Sequence, residues 1–221
     1  MEKLWLYKLT RLVVSAVFHF YFRTEYIGVE NVPVEGAMIV APNHVSYLDP
    51  IWVSIPLARP LRYMTWDKMT LLPVLGGLMR AYCAFPVNIE NPSGDRAALR
   101  QSLKHLRAGG GLMIFPEGGR TRDGRLMTFK PGVIRLALDT GVPIVPVTIV
   151  GGYEAYSAHH FFPRPSKLKV VYHEPIKLDP PPEDAQSKEY LRGEAERLRQ
   201  IVASALPQGI VPLGRQEAME S

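Results

Sequence analysis

The 221-residue sequence predicts a single α/β domain in which helices flank a largely parallel or mixed sheet. Three observations carry that expectation. Short apolar runs alternate with stretches of helical periodicity, the pattern of strands joined by crossover helices. The composition, 47% hydrophobic and 21% charged, fits a folded chain with a sizeable core rather than a disordered or polytopic one. No internal repeat, low-complexity tract or long linker interrupts residues 24–207. They read as one domain between an N-terminal segment, 1–23, and a C-terminal tail, 208–221.

The elements follow in order. Of the nineteen residues 4–22, fourteen are apolar. Four of the five exceptions, Lys8, Arg11, Ser15 and His19, recur at helical spacing and make one thin stripe on an apolar cylinder, with Thr10 apart. Lys3, Lys8, Arg11 and Arg23 against Glu2 give the segment a net charge of +3. Such a helix suits the interface of an anionic bilayer, so residues 1–23 are expected to form an amphipathic, membrane-associated helix. It would hold the protein on the cytoplasmic face of the cell membrane, peripherally or monotopically. Three rival readings compete with this one. His19 inside the apolar run disfavours a cleaved signal peptide, and Lys8 and Arg11 disfavour a spanning helix. A helix packed on the protein's own core stays open.

Residues 36–41, closed by Pro42, read as a buried strand. Pro50 suits the first turn of a helix, which makes Asp49 its natural N-cap. Residues 61–66 read as a strand, 71–82 as an apolar stretch, and 84–88 as another strand. Leu99, Leu103 and Leu106 give 95–107 a helical period, stopped by Ala108 and the glycines 109–111. A strand over 111–115, a helix over 133–139 ended by Gly141, and a strand over 143–150 with an awkward internal Pro146 come next. Residues 167–172 alternate polar and apolar, and 185–206 form the last helix.

The single cysteine, Cys83, excludes an internal disulfide and a thiol cluster for zinc or iron–sulfur. A net charge of +5 and a pI near 9.3 suit anionic lipid, phosphorylated small molecules or nucleic acid. Arg59, Arg62, Lys68, Arg80, Arg164, Lys167 and Lys169 are scattered without aromatic interleaving, so no nucleic-acid partner is expected. His159 and His160 are adjacent, their side chains diverge, and no ligand follows at metal spacing; no metal site is expected.

Two strand ends carry the chemistry. The first is Asn43-His44-Val45-Ser46-Tyr47-Leu48-Asp49-Pro50, which sets His and Asp five positions apart in a turn that can fold one on the other. A carboxylate on one ring nitrogen fixes the tautomer and leaves the other nitrogen to accept a hydroxyl proton. At this level, Asp49 as a simple helix cap and His44 as an ordinary loop histidine remains the alternative. Ser46 invites a nucleophile reading, but the chain has no G-x-S-x-G elbow. The second loop is Phe115-Pro116-Glu117-Gly118-Gly119-Arg120-Thr121-Arg122-Asp123-Gly124-Arg125. Glycines let an anion approach backbone N–H groups, Arg120 can hold phosphate oxygens, and Arg122, Arg125 and Lys130 add charge. The spacing is not that of a Walker A loop.

Together the two loops resemble the 1-acylglycerol-3-phosphate acyltransferase family of glycerophospholipid acyltransferases, with its N-H-x4-D block and later F-P-E-G-x-R block. Asn43, His44 and Asp49 match the first, and Phe115, Pro116, Glu117, Gly118 and Arg120 the second. Val142-Pro143-Ile144-Val145-Pro146-Val147 is similar to the family's fourth block and accounts for Pro146. The resemblance covers roughly residues 30 to 180. It implies acyl transfer from an acyl-CoA or acyl-carrier-protein thioester to the free hydroxyl of a lysophospholipid, with 1-acylglycerol-3-phosphate the first acceptor to consider. His44 is then the general base and Asp49 orients it. Glu117, Gly118, Gly119, Arg120 and Lys130 belong to the acceptor site, no acyl-enzyme forms, and no cofactor is required beyond the thioester co-substrate. At the family's second block this chain reads Cys83-Ala84-Phe85-Pro86-Val87-Asn88-Ile89, so Asn88 and Ile89 stand where Asp and Arg are expected. Arg96 is the candidate substitute. Leu75, Gly76, Leu78 and Met79 are candidates for an acyl-chain pocket. The alternatives are another lysolipid acceptor, transacylation between lipids, and an inactive lipid-binding or scaffold protein of the same fold.

Overall fold

In the computed structural model, residues 14–66, 76–77, 84–87, 92–179 and 188–210 are described. A helix over 14–22, α1, leads into β1 (Glu25–Ile27), a 3-10 turn (Val29–Asn31), β2 (Met38–Pro42) and α2 (Asp49–Ser54). Then come β3 (Arg62–Trp66), β4 (Ala84–Val87), α3 (Pro92–Arg107), β5 (Gly111–Met113) and α4 (Gly132–Thr140). The chain continues through β6 (Ile144–Val150), α5 (Gly152–Tyr156), β7 (Lys169–Tyr172) and α6 (Lys188–Ala203).

The strands form one seven-stranded sheet in the order β1-β7-β6-β2-β5-β3-β4. Every pairing is parallel except β6 with β7, so the sheet is mixed, within the predicted class. The central strand β2 is buried along its whole length, and its side chains alternate between two cores. Met38 and Val40 meet Trp52, Tyr63, Val147 and Phe22 on one face. Ile39 and Ala41 meet Leu106, Ile134, Leu198 and Val202 on the other. Helices α1 and α2 therefore cover one face, and α3, α4 and α6 the other. Burying apolar side chains on both faces is why β2 reads as an unbroken hydrophobic run and β6 as one broken only by Thr148.

Three local features depart from expectation. Asp49 is not the N-cap of α2: the helix begins at Asp49 itself, Leu48 occupies the cap position, and no side chain caps it. Asp49 accepts instead from residues behind it in the chain, as described below. Strand β1 and helix α5 are short and carry no periodicity that marks them. The third departure concerns α1, whose Phe18 and Phe22 rings pack against Trp52 at 6.4 and 5.3 Å. Phe22 is buried, so the end of the segment set apart as 1–23 is continuous with the domain core, while Val17 and Phe20 face outward. No helix among the described residues is long and apolar enough to cross a membrane.

Pro146 sits in β6 opposite Ala41. On its other flank, pairing slips by one residue between Val147↔Tyr172 and Ile144↔Ile176. A bulge there needs no donor from position 146, and the Pro146 carbonyl still accepts the His173 N–H at 2.9 Å.

Candidate active site

Parallel neighbours end at the same edge of a sheet, so the adjacency of β2 and β5 brings the two predicted loops together. Asn43 fixes where the first loop leaves the sheet. Its side-chain amide donates to the Ile149 carbonyl at 3.0 Å and its oxygen accepts the Ile149 N–H at 2.7 Å, extending the β2 ladder by one side chain.

The next six residues fold into a tight turn around one carboxylate oxygen. Asp49 Oδ2 accepts the N–H groups of Val45 and Ser46, both at 2.7 Å, and lies 2.8 Å from His44 Nδ1. The carboxylate is fully buried, and burial pushes its pKa up, against the hydrogen bond and charge of His44 and the two backbone donors. Two N–H donors already point at Oδ2, so the arrangement favours a carboxylate there and a proton on Nδ1. That leaves the Nε2 lone pair of a ring whose side chain is 18% exposed. The predicted dyad contact is thus formed, and Asp49 contributes to the turn rather than to the helix.

Phe115 holds the plane of the imidazole. The two rings stack at 3.8 Å between centroids and 18° between planes. Glu117 holds its backbone: Oε1 accepts the His44 N–H at 2.6 Å, and Oε2 accepts the Met127 N–H at 3.0 Å. The Thr121 N–H donates to the His44 carbonyl at 2.9 Å. Both main-chain polar groups of His44 are therefore tied to the second loop. Burial pushes the Glu117 carboxyl up to about 7, opposed by its two backbone donors and assisted by the charge of Asp49. With both oxygens engaged by main chain, Glu117 faces inward and braces the loops.

Gly118 and Gly119 are exposed beyond it. Gly118 has φ +72, a left-handed conformation that favours glycine, and the end of the Lys130 side chain lies where a Cβ would stand. Arg120 lies with its guanidinium carbon 3.4 Å from the centroid of the Tyr47 ring. Its Nη1 is buried and makes no hydrogen bond among the described residues. A cation held over an aromatic ring with an unpaired donor suits an incoming anion such as a phosphate.

Of the other sequence candidates, Gly76 is buried, and Leu75, Leu78, Met79, Asn88 and Ile89 lie outside the described residues. Arg96 is in the first half of α3, its side chain likewise outside them. His159 and His160 serve backbone: His159 Nε2 lies 3.0 Å from the Arg122 carbonyl, and His160 Nδ1 accepts from the Ser157 N–H. No group of three or more potential metal ligands occurs among the described residues. Ser46 Oγ donates to the Tyr156 carbonyl at 2.6 Å and accepts the Leu48 N–H at 3.1 Å, which makes it part of the turn. Phe115 as a ring partner and Tyr47 as the bed of Arg120 were not assigned from sequence. An aromatic before Pro116 and another three residues after His44 are the only signals.

Comparison with known proteins bears on the family and the fold. The model of the family described as acyltransferase matches residues 23–150. A chloroplastic 1-acyl-sn-glycerol-3-phosphate acyltransferase of Brassica napus is 29% identical over 176 residues, covering 76% of this chain and 49% of that protein. A 1-acyl-sn-glycerol-3-phosphate acyltransferase of Chlamydomonas reinhardtii is 30% identical over 193 residues, covering 86% and 55% respectively. The chain spans about half the length of these relatives. Among solved structures, the 1-acyl-sn-glycerophosphate (LPA) acyltransferase PlsC of Thermotoga maritima superposes with a TM-score of 0.71 at 26% identity. That match covers 90% of this chain and 78% of the other.

Proposed function

The chain belongs to the acyltransferase family, and from that premise we propose that it moves a fatty acyl group from an acyl-CoA or acyl-carrier-protein thioester to the hydroxyl of a lysophospholipid, first of all 1-acylglycerol-3-phosphate, giving phosphatidate. The observation that carries the proposal is the 2.8 Å contact between His44 Nδ1 and Asp49 Oδ2. It turns Nδ1 to the carboxylate and leaves Nε2 as the nitrogen free to act as a base.

In this reading His44 Nε2 removes the proton as the acceptor oxygen attacks the thioester carbonyl. A new C–O bond forms, the C–S bond breaks, and the proton passes from His44 to the departing thiolate. The thioester is already activated, so positioning supplies much of the acceleration and no metal or further cofactor is required. Arg120 and Lys130 take the acceptor phosphate, Gly118 and Gly119 let it approach the backbone, and Glu117 keeps His44 in place. The chain would act on the cytoplasmic face of an anionic membrane, held by the segment ending at residue 23.

The experiment compares purified wild type with His44→Ala, each given labelled acyl-CoA or acyl carrier protein and a panel of lysolipids. The panel is needed because Asn88 and Ile89 replace the Asp-Arg pair that the family pattern carries. The wild type is expected to acylate 1-acylglycerol-3-phosphate and the variant to lose at least about a hundredfold in rate. Equal activity of the two proteins contradicts the base. Activity with a different lysolipid alone moves the acceptor, and no transfer at all favours a lipid-binding or scaffold role.

A further inference from the structure

The most exposed large apolar side chains among the described residues are not scattered. Phe161 is 94% exposed, Phe162 80% and Phe20 82%. Topology places them at one edge. Strand β6 runs parallel to β2 and ends at Val150, whose register partner Lys169 begins the antiparallel β7. The connection 151–168 therefore lies at the edge where His44 follows β2. Strand β1 runs parallel to β7 with Glu25 level with Lys169, so α1 arrives at that same edge.

Hydrogen bonds join the pieces. Tyr21 Oη donates to the Pro163 carbonyl at 2.9 Å, tying α1 to the loop that carries the two phenylalanines. The Leu168 N–H donates to the Phe22 carbonyl and the Leu168 carbonyl accepts the Glu25 N–H, which brackets Arg23 beside the loop. The base of the loop is fastened to the candidate active site through Ser46 to Tyr156 and His159 to Arg122. Between Glu154 and Glu174 there is no acidic residue, whereas Arg164, Lys167 and Lys169 follow the aromatic tip.

We propose that the 157–164 loop is a membrane wedge. Phe161 and Phe162 enter an anionic bilayer beside α1, and Arg23, Arg164 and Lys167 meet its headgroups. Projecting phenylalanines can enter fluid lipid as they stand, whereas a protein partner would need matched pockets, and the flanking charge complements an anionic leaflet. A second contact beside α1 restricts rotation about the helix, so the edge bearing His44 and Arg120 is turned toward the lipid. The inference rests on the proposed activity only in giving that orientation a purpose.

Co-sedimentation of the full chain with vesicles of phosphatidylcholine and phosphatidylglycerol in equal parts tests it. Phe161→Ala combined with Phe162→Ala is expected to weaken partition at least about tenfold, because each ring forfeits its apolar burial. Arg164→Ala with Lys167→Ala should weaken it at low salt on these vesicles and leave binding to pure phosphatidylcholine unchanged. With short-chain, water-soluble donor and acceptor, kcat/KM of the Phe variant should stay within about twofold of wild type. Unchanged partition overturns the wedge, and unchanged partition with slower transfer from acyl carrier protein assigns the patch to protein docking instead. Loss of vesicle binding in a chain that acylates no lysolipid would leave the wedge standing and remove the proposed activity.

Discussion

Glu117 accepts the main-chain N–H of His44 at 2.6 Å, so the loop after β5 holds the loop after β2 by its backbone. The loop that contains Glu117 thereby has a mechanical part: it holds the main chain of His44 in place. A buried carboxylate is a costly brace, and its titration should be visible in stability.

The Glu117 carboxyl is raised from 4.5 to about 7 by burial. The folded protein therefore binds its proton more tightly than the unfolded chain does. The resulting contribution to stability is greatest below about pH 4.5, declines as pH rises toward 7, and levels off above, a loss of at most about 3 kcal/mol. Glu117→Gln cannot ionise, so its melting temperature should fall less between pH 5 and pH 7 than that of wild type. The amide also turns an NH2 group toward one of the two backbone donors, which lowers stability at every pH and leaves the slope comparison intact. Parallel melting curves for the two proteins across that pH range would contradict the raised carboxyl.

Phe115→Leu should slow turnover without weakening binding. The leucine still fills apolar space, yet it offers no face for the imidazole now 3.8 Å away. Ring stacking of this kind is worth about 1 kcal/mol. A base free to tilt loses near-attack geometry, so kcat is expected to fall about tenfold with KM within about twofold. Steady-state kinetics on 1-acylglycerol-3-phosphate separates the two. A rise in KM at constant kcat would place Phe115 in substrate binding.

What could be read in the sequence follows the range of the interactions. His44 and Asp49 lie within one turn, and five-residue spacing before a proline makes their contact possible without requiring it. The buried strands around them were legible because β2 is apolar throughout and β6 is apolar apart from Thr148. Asp49 was misread as a helix cap because that is the usual fate of an Asp before Pro. Three donors from residues 44 to 46 take its Oδ2 instead. The Phe115 stack, the Glu117 brace and the Tyr47–Arg120 contact all cross from one loop to the other. They depend on β2 lying beside β5, a pairing of strands distant in sequence that no local pattern specifies.

Arg120→Ala should raise KM mainly for phosphate-bearing acceptors, and Tyr47→Leu should do so to a smaller degree. Arg120 keeps its cation over the Tyr47 ring with Nη1 unpaired among the described residues, so in the proposed reading the tyrosine presents the arginine to the acceptor anion. Loss of a charge-assisted bond to phosphate is worth about 2 kcal/mol, roughly a thirtyfold rise in KM. Losing the aromatic bed alone costs about 1 kcal/mol, roughly fivefold, and Tyr47→Phe should retain most of it. Comparing 1-acylglycerol-3-phosphate with 1-acylglycerol checks the assignment. An equal loss on both acceptors would place Arg120 outside phosphate recognition.

Ser46→Ala distinguishes direct transfer from a covalent route. Ser46 is fully buried, its hydroxyl proton is given to the Tyr156 carbonyl, and its oxygen takes the Leu48 N–H. A nucleophile needs its proton directed at a base, and Ser46 directs its proton at main chain instead. The variant should therefore keep at least about a third of wild-type kcat. It should lose about 2 kcal/mol of stability, since a buried donor and acceptor are left unpaired, and melt about 4–8 °C lower. Intact-mass spectrometry of wild type quenched during turnover should show no acyl adduct. An adduct on Ser46, or a loss of activity in Ser46→Ala as large as in His44→Ala, would replace the direct mechanism with an acyl-enzyme.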